Sequence, residues 1–510
     1  MGPGAAPDLL VGEVFRAGAR AEPDRVAVAL GDRTLTFAEV DRSANAHAHA
    51  LRRAGVGHGD RVVLWSATAI DAVPLFAALA KIGAVFAPAS ALLTPDEALE
   101  TVGRARPGLL VVDPGHEVAG REVAAALGIP LWVLGRIVAE PGAGPDGPDA
   151  PDPPDPEVPG LRETDPHVLF FTSGTTGRSK GVVLSHRVSY LRSHPGSQLE
   201  PRGPVVCMYP LFHMGAWTMA LTAWQQQTTV VFVEHADPAL LCAEIARWRA
   251  ERFNAIPAVW RRIFEHVDGH PEARAGLQSL RIVDSGTSAT PLELLREIAA
   301  LVPGAARRVF YGSTEAGAVC LLRDEHMEAK PGSCGTPQHS VRVRLDPETH
   351  ELQVRGPLLF DGYFEDAEAT AEVTTADGWF RTGDVAAEDA DGFLSIVGRL
   401  TQVIRTGGEA LSPVEVELEL ADHPGLLDVA VVGLPDPRWG ETVCAAIVVR
   451  PGAPAPTLEE LRAHAAGRLA KFKLPRAVVV VDAIPRTPAT GQVQRMLLVA
   501  QVTGRGRPGS

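Results

Sequence analysis

From Thr172 onward the chain reads Thr172-Ser173-Gly174-Thr175-Thr176-Gly177-Arg178-Ser179-Lys180-Gly181. These residue types at this density suit a polyphosphate. Glycines let the backbone approach an anion, their N–H groups join the hydroxyls in a nest, and Lys180 adds a point charge. The order differs from G-x-x-x-x-G-K-[ST], so the loop is not that of the P-loop NTPases. A polar hairpin turn would account for one or two of these residues, but not for the unbroken run. Val168 to Phe171 before the loop reads as a buried strand, and Gly181 to Leu184 resumes the apolar character.

Four further groups carry chemistry at a distance: Pro210-Leu211-Phe212-His213, Tyr311-Gly312-Ser313-Thr314-Glu315, Gly378-Trp379-Phe380-Arg381-Thr382-Gly383-Asp384, and Gly398-Arg399 with Thr406-Gly407-Gly408-Glu409. Taken singly they say little: Asp384 is then a turn residue and Arg399 a surface charge.

The elements around them alternate. Thr36-Phe37-Ala38-Glu39 is a capping box, after which Phe37, Val40, Ala44, Ala48 and Leu51 share one helical face and Gly55 ends the helix. His47 and His49 fall near its exposed side. Asp60 to Trp65 reads as a strand, Ile70 to Lys81 as a helix that tolerates Pro74 near its first turn, and Ala84 to Pro88 as the next strand. Leu109 to Asp113 and Leu131 to Leu134 add two more, which implies a largely parallel, helix-covered sheet. Residues 140–166 are rich in Pro, Asp and Gly and read as an extended surface linker. A second α/β region runs to about Gly317. Short strands with Asp-Gly turns (Asp377-Gly378, Asp391-Gly392) then mark a small β-rich subdomain from Val341 to Arg399. An α/β module of about a hundred residues completes the chain.

A chain of 510 residues requires more than one domain, and 45% hydrophobic with 22% charged residues is an ordinary globular composition. A net charge of −14 disfavours nucleic acid or an anionic membrane as the main partner. The five cysteines (Cys207, Cys242, Cys320, Cys334, Cys444) lack metal spacing and suit a reducing compartment. Met1 to Pro7 lacks the make-up of a secretory leader, no apolar run reaches a membrane span, and 504–510 carries no peroxisomal-type address. A cytoplasmic protein is expected.

Taken in order, the five motifs resemble those of the acyl- and aryl-CoA synthetases of the adenylate-forming (ANL) superfamily, over nearly the whole chain. The resemblance implies an α/β fold with two domains. A large N-terminal domain (1–400) would hold two α/β subdomains and a small β-barrel-like one. A small mobile α+β domain (401–510) would turn about a hinge near Gln402. It implies ATP or AMP (as acyl-adenylate), Mg²⁺ and coenzyme A as cofactors.

Carried over residue by residue, Thr172, Ser173, Gly174, Thr175, Thr176, Gly177 and Lys180 would hold phosphate. Gly286, Thr287 and Ser288 would stand at the adenine wall, and Tyr311 and Gly312 would bind the cofactor as part of the adenylate motif. Ser285 to Ser288 departs there from the family's usual Gly-Gly-Ala-Pro type sequence. Thr314 would donate to the α-phosphate, Glu315 would bind Mg²⁺, Asp384 the ribose hydroxyls, and Arg399 ribose and phosphate. His213 belongs to the acyl-pocket motif, with Phe212, Met214, Trp217, Thr287, Ser288 and Ala316 as further pocket candidates for a hydrophobic carboxylic acid. Gly407, Gly408, Trp439, Phe472 and Arg476 would bind coenzyme A, with Lys471 and Lys473 as candidates for its 3′-phosphate.

One position departs in a way that bears on the reaction. The family has a lysine after the glycine of its C-terminal motif, and this chain reads Pro485-Arg486-Thr487-Pro488-Ala489-Thr490-Gly491-Gln492-Val493-Gln494-Arg495. The nearest upstream lysine is Lys473 and none follows. Glutamine retains hydrogen-bonding capacity without charge. The expectation is an acyl-CoA ligase that acts mainly on acyl-AMP and CoA, supplied by a partner adenylating synthetase. The alternatives are a complete ATP-dependent acyl-CoA synthetase and a non-catalytic adenylate- or CoA-binding protein. Gln402 stands where the family usually has aspartate.

Overall fold

Two large sheets, joined through buried helices, carry the first three hundred residues. The computed structural model describes residues 8–137, 153–173, 179–194, 201–286, 290–406, 409–487 and 491–504. In the first sheet, strands Arg61–Ser66, Val85–Ser90, Leu109–Val112 and Leu131–Val133 run parallel. Helices Ala72–Ile82, Pro95–Arg104 and Glu117–Leu127 make the crossovers. Ala72–Ile82 is buried at every position, as a helix apolar on all sides must be. Val85–Ser90 also pairs with Pro166–Ser173, whose antiparallel partner is Ser179–Ser185.

In the second sheet six strands run parallel: Val26–Leu30, Val230–Phe232, Val205–Cys207, Arg252–Asn254, Ile282–Gly286 and Ala306–Ser313. Gly317–Arg323 then returns antiparallel to Ala306–Ser313. A third, four-stranded antiparallel sheet comprises Arg342–Leu345, Glu351–Arg355, Phe380–Glu388 and Leu394–Arg399. The small C-terminal domain has its own sheet, with Leu426–Asp436 and Gly440–Val449 as its long central pair. Among the described residues, no helix is long and apolar enough to cross a membrane.

Local expectations meet the structure at several points. Thr36 accepts from Glu39 N while the Glu39 side chain accepts from Thr36 N, so the capping box is made and the helix Phe37–Arg53 starts where it predicts. His47, expected on that helix's exposed side, is instead buried. The helix Ala72–Ile82 covers that side too, and burial lowers the His47 imidazole to about 4.

Where it is described, the linker is irregular and largely exposed as far as residue 165. Its first residues lie outside the described ones, but from residue 153 it is tied to the domain. Asn45 and His49 donate to the carbonyls of Pro153 (3.2 Å) and Pro154 (2.9 Å). Asp155 accepts from Lys81 Nζ at 2.9 Å. Lys81 is itself buried, and its ammonium also donates to Asp41 (2.5 Å) and Asn45 (2.6 Å). Two carboxylates and an amide thus balance one interior charge. Lys81→Met is expected to lower unfolding free energy by about 3 kcal/mol, because it strips Asp41 of its counter-charge and leaves Asp155 with Arg16 alone. A urea titration by circular dichroism measures this.

Three buried histidines set an acid limit. Burial lowers His47 and His186 to about 4, and holds His167 well below its ordinary value. With folded values below the unfolded 6.5, the unfolded chain binds more protons between these limits. Stability therefore falls as pH drops through that window, and is fully present above it. His47 and His186 each cost up to about 3 kcal/mol by pH 4. Urea midpoints at pH 7.5, 6 and 5 are expected to decline in that order; a flat profile would contradict it.

Candidate active site

The parallel strands of the second sheet end on one side, where open α/β sheets characteristically bind ligands. Tyr311 lies on the last of them, Ala306–Ser313, which turns back into Gly317–Arg323. A Cβ at Gly312 would come within 2.1 Å of the Gly317 carbonyl, so only glycine permits this turn. The Tyr311 hydroxyl donates to Asp384 Oδ2 at 2.6 Å, although the two residues lie on different sheets. Arg399, paired with Asp384 across neighbouring strands, holds Oδ1 through Nε at 2.7 Å. Its Nη1 donates to the Thr382 carbonyl at 3.2 Å. Asp384 is thus no ordinary turn residue and Arg399 no free surface charge.

Burial raises the Asp384 carboxyl, and Arg399 and Tyr311 oppose that rise. Burial, then Asp384, raises the Tyr311 phenol well above its usual value. The carboxylate still has lone pairs for further donors.

Glu315 sits in the same turn as Thr314. Its Oε1 accepts from the Tyr363 hydroxyl at 3.1 Å. Tyr363 lies on Gly362–Tyr363, which pairs with Ser179–Ser185. Its ring carries Lys180 Nζ 4.7 Å from the centroid. Thr172 and Lys180 are register partners at the base of the glycine-rich loop. Lys180, Tyr363 and Glu315 therefore form one line from that loop to the Glu315 turn. Gly174, Thr175, Thr176 and Gly177 lie outside the described residues, as do Thr287, Ser288, Gly407 and Gly408, and Ser173 is described in its backbone alone. Gly286 ends Ile282–Gly286, in register with Phe310.

His213 caps the helix Met214–Gln225, accepting from Gly215 N through Nδ1 at 3.0 Å. It stacks on Tyr209 at 5.3 Å, and burial lowers it to about 4, so it is neutral at pH 7. Trp217, expected in the acyl pocket, packs in the core instead. It stacks on Phe76 at 4.2 Å and donates its indole N–H to the Leu211 carbonyl at 2.5 Å. The cavity it lines measures about 10 Å³, room for one water and not for an acyl group. Its ring is held in the core between Phe76 and Phe86.

In the small domain Arg476 stacks on Trp439, with its guanidinium carbon 4.0 Å from the ring centroid. Trp439 remains exposed, and the adjoining Gly440 pairs with Thr406, which brings it beside the flanks of residues 407–408. Phe472 packs against this domain's core. Lys473 is ion-paired with Glu415, while Lys471 is exposed.

Gln492 is exposed, with its backbone held by Thr487 through two hydrogen bonds. A Cβ on its neighbour Gly491 (φ 66°) would come within 2.9 Å of Ile256 Cδ1, so this segment rests on the large domain near Arg252–Asn254. The flanking arginines are engaged. Arg486 pairs with Asp428 at 2.9 Å, and Arg495 with Glu417 at 2.6 Å. Arg495 Nε also donates to Gln402 Oε1 at 3.0 Å.

Arg192 and Tyr363 carry no motif signal. Arg192 donates to the carbonyls of Leu358, Thr314 and Glu315, each at 2.8 Å. Helical spacing alone could have marked Arg192 as a charge among apolar neighbours, but not its partners.

The fold is that of an adenylate-forming enzyme, a large α/β domain with a small domain after it. The chain belongs to the AMP-binding enzyme family. The profile of that family matches residues 15–364, and the profile of its C-terminal domain matches 415–490. The chain is 35% identical over 498 residues to a feruloyl-CoA synthase of Amycolatopsis, covering 94% of this chain and 97% of that one. It is 32% identical over 496 residues to a long-chain-fatty-acid–CoA ligase of Thermus thermophilus, covering 91% and 89%. It also superposes on ATP-bound MatB from Rhodopseudomonas palustris with a TM-score of 0.84, at 26% identity over 96% and 98% of the two chains.

Proposed function

We propose that this protein is an acyl-CoA ligase that acts mainly on the thioester-forming half-reaction: acyl-AMP + CoA → acyl-CoA + AMP. The observation that carries this is Gln492. It stands where the family's lysine is expected, and Arg486 and Arg495 beside it are bound to carboxylates. No cation on this segment is left to stabilise charge developing during attack on the α-phosphate.

In this reading Asp384 accepts the ribose hydroxyls, held in place by Tyr311 and Arg399. Glu315 would hold Mg²⁺: Tyr363 occupies one of its oxygens, and Mg²⁺ takes one or two carboxylates with phosphate oxygens. When bound, the ion would neutralise phosphate charge. Lys180 and the 172–177 loop grip phosphate, His213 closes the acyl side as a neutral ring, and Trp439 with Arg476 receives part of CoA. The small domain turns about Gln402. The acid is a hydrophobic carboxylate, and a partner synthetase supplies its adenylate.

A complete ATP-dependent synthetase is the second reading. The line from Lys180 through Tyr363 to Glu315 favours it, because a protein receiving ready-made adenylate has no β- and γ-phosphates to bind. One preparation and two assays decide. ATP–pyrophosphate exchange with a panel of acids reports adenylation, and synthetic acyl-AMP with CoA reports thioester formation. Thioester formation with negligible exchange is expected. Strong exchange would replace the first reading by the second, and binding of AMP or CoA without turnover would leave a binding protein.

A further inference from the structure

We propose that Arg192 is a positioning residue of this site: one half-buried guanidinium that sets the Thr314–Glu315 main chain and ties it to the acyl-pocket helix. This rests on the adenylate-site reading above.

Arg192 projects from the helix His186–Ser193, directly after the strand that follows the glycine-rich loop. All three nitrogens are used. Nε donates to the Leu358 carbonyl at 2.8 Å. Nη1 donates to the Thr314 carbonyl at 2.8 Å and contacts Met214 Sδ at 3.2 Å. Nη2 donates to the Glu315 carbonyl at 2.8 Å. The partners lie 22 to 166 residues away in sequence. A Cβ at Gly317 would come within 2.9 Å of Arg192 Nε, so the turn closes directly over the side chain.

The chemistry of this placement is unusual. A guanidinium largely withdrawn from water normally faces a carboxylate. Here its direct oxygen partners are main-chain carbonyls, and the carboxylates that favour its charge, Glu315 and Asp361, act through space. Burial outweighs them and lowers the group to about 9, still protonated at neutral pH. A structural tie between helix and turn could be made by neutral groups without desolvating a charge. The guanidinium fork instead fixes two successive carbonyls in one plane. That fixes where the Thr314 hydroxyl and the Glu315 carboxylate project. Its contact with Met214 places His213 and the acyl side in the same frame. Displacement of about 1 Å at such groups can cost ~10² in rate.

The test uses the full-length protein with Arg192→Met and Arg192→Lys. Folded fraction comes from circular dichroism, AMP affinity from calorimetry, and kinetic constants from synthetic acyl-AMP with CoA. With values normalised to folded protein, Arg192→Met is expected to lower kcat on acyl-AMP and AMP affinity by about 10–100-fold, with KM for CoA unchanged. Arg192→Lys keeps the charge but not the fork. It supplies the readout should the methionine variant not fold, and is expected to lose about 5–10-fold in the same two constants. Wild-type constants in folded Arg192→Lys or Arg192→Met, or a KM for CoA raised as much as the others fall, would overturn the proposal. Wild-type protein that binds AMP but makes no thioester would remove the ligase reading alone and leave Arg192 to be judged on AMP affinity. Wild-type protein that does not bind AMP would remove both.

Discussion

Gln492→Lys is expected to raise ATP–pyrophosphate exchange by about 10²–10³-fold while changing thioester formation from acyl-AMP by less than about threefold. The magnitude follows from electrostatics. A unit charge about 4 Å from a developing anion contributes on the order of 4 kcal/mol at an effective dielectric of 20. A neutral amide at the same place supplies at most a hydrogen bond. The substitution is well placed to show this, because residue 492 is exposed and its backbone bonds to Thr487 do not depend on its side chain. A new lysine would also find the nearby carboxylates Asp428 and Glu417 already paired with Arg486 and Arg495. Exchange that is high in the unmodified protein and unchanged in the variant would refute the reading of Gln492.

Asp384→Ala carries the second large effect, on binding and folding together. Asp384 is 6% exposed and holds both Tyr311 and Arg399. Removing the carboxylate leaves a buried phenol and a guanidinium without their shared partner, at a cost of about 3–5 kcal/mol in stability. Nucleotide loses charge-assisted hydrogen bonds of about 1.5–3 kcal/mol each, so AMP affinity is expected to fall by ~10²-fold or more. Calorimetry on the folded fraction separates the two losses. Asp384→Asn keeps the shape, and is expected to recover much of the stability but little of the affinity. Equal AMP affinity in Asp384→Asn and wild type would remove Asp384 from the nucleotide site.

The motifs were legible because each is local. The capping box at Thr36 and Glu39, the strand before Thr172 and the Asp-Gly turns all depend on neighbours a few residues away. What the sequence hides is set by distant partners. Arg192 meets carbonyls of residues 314, 315 and 358, and Tyr363 meets Glu315, with no pattern of spacing to announce either. His47 follows the same rule: its helix has a polar-looking side that another helix happens to cover. Trp217 failed for a different reason. An aromatic next to a binding motif on a helix can face the ligand or the core, and hydrophobicity alone does not give the phase. Asp384 and Arg399 show the converse, since their pairing needed only neighbouring strands, yet their importance depended on Tyr311 from another sheet.

The Lys81 clasp has a consequence for how the chain is strung. Ile137 is buried at one end of residues 138–152, and Asp155 is held by Lys81 near the other. Both flanks of that stretch are therefore pinned by the domain itself. Ile137 and Asp155 are thus two fixed moorings, each held in the domain by contacts of its own.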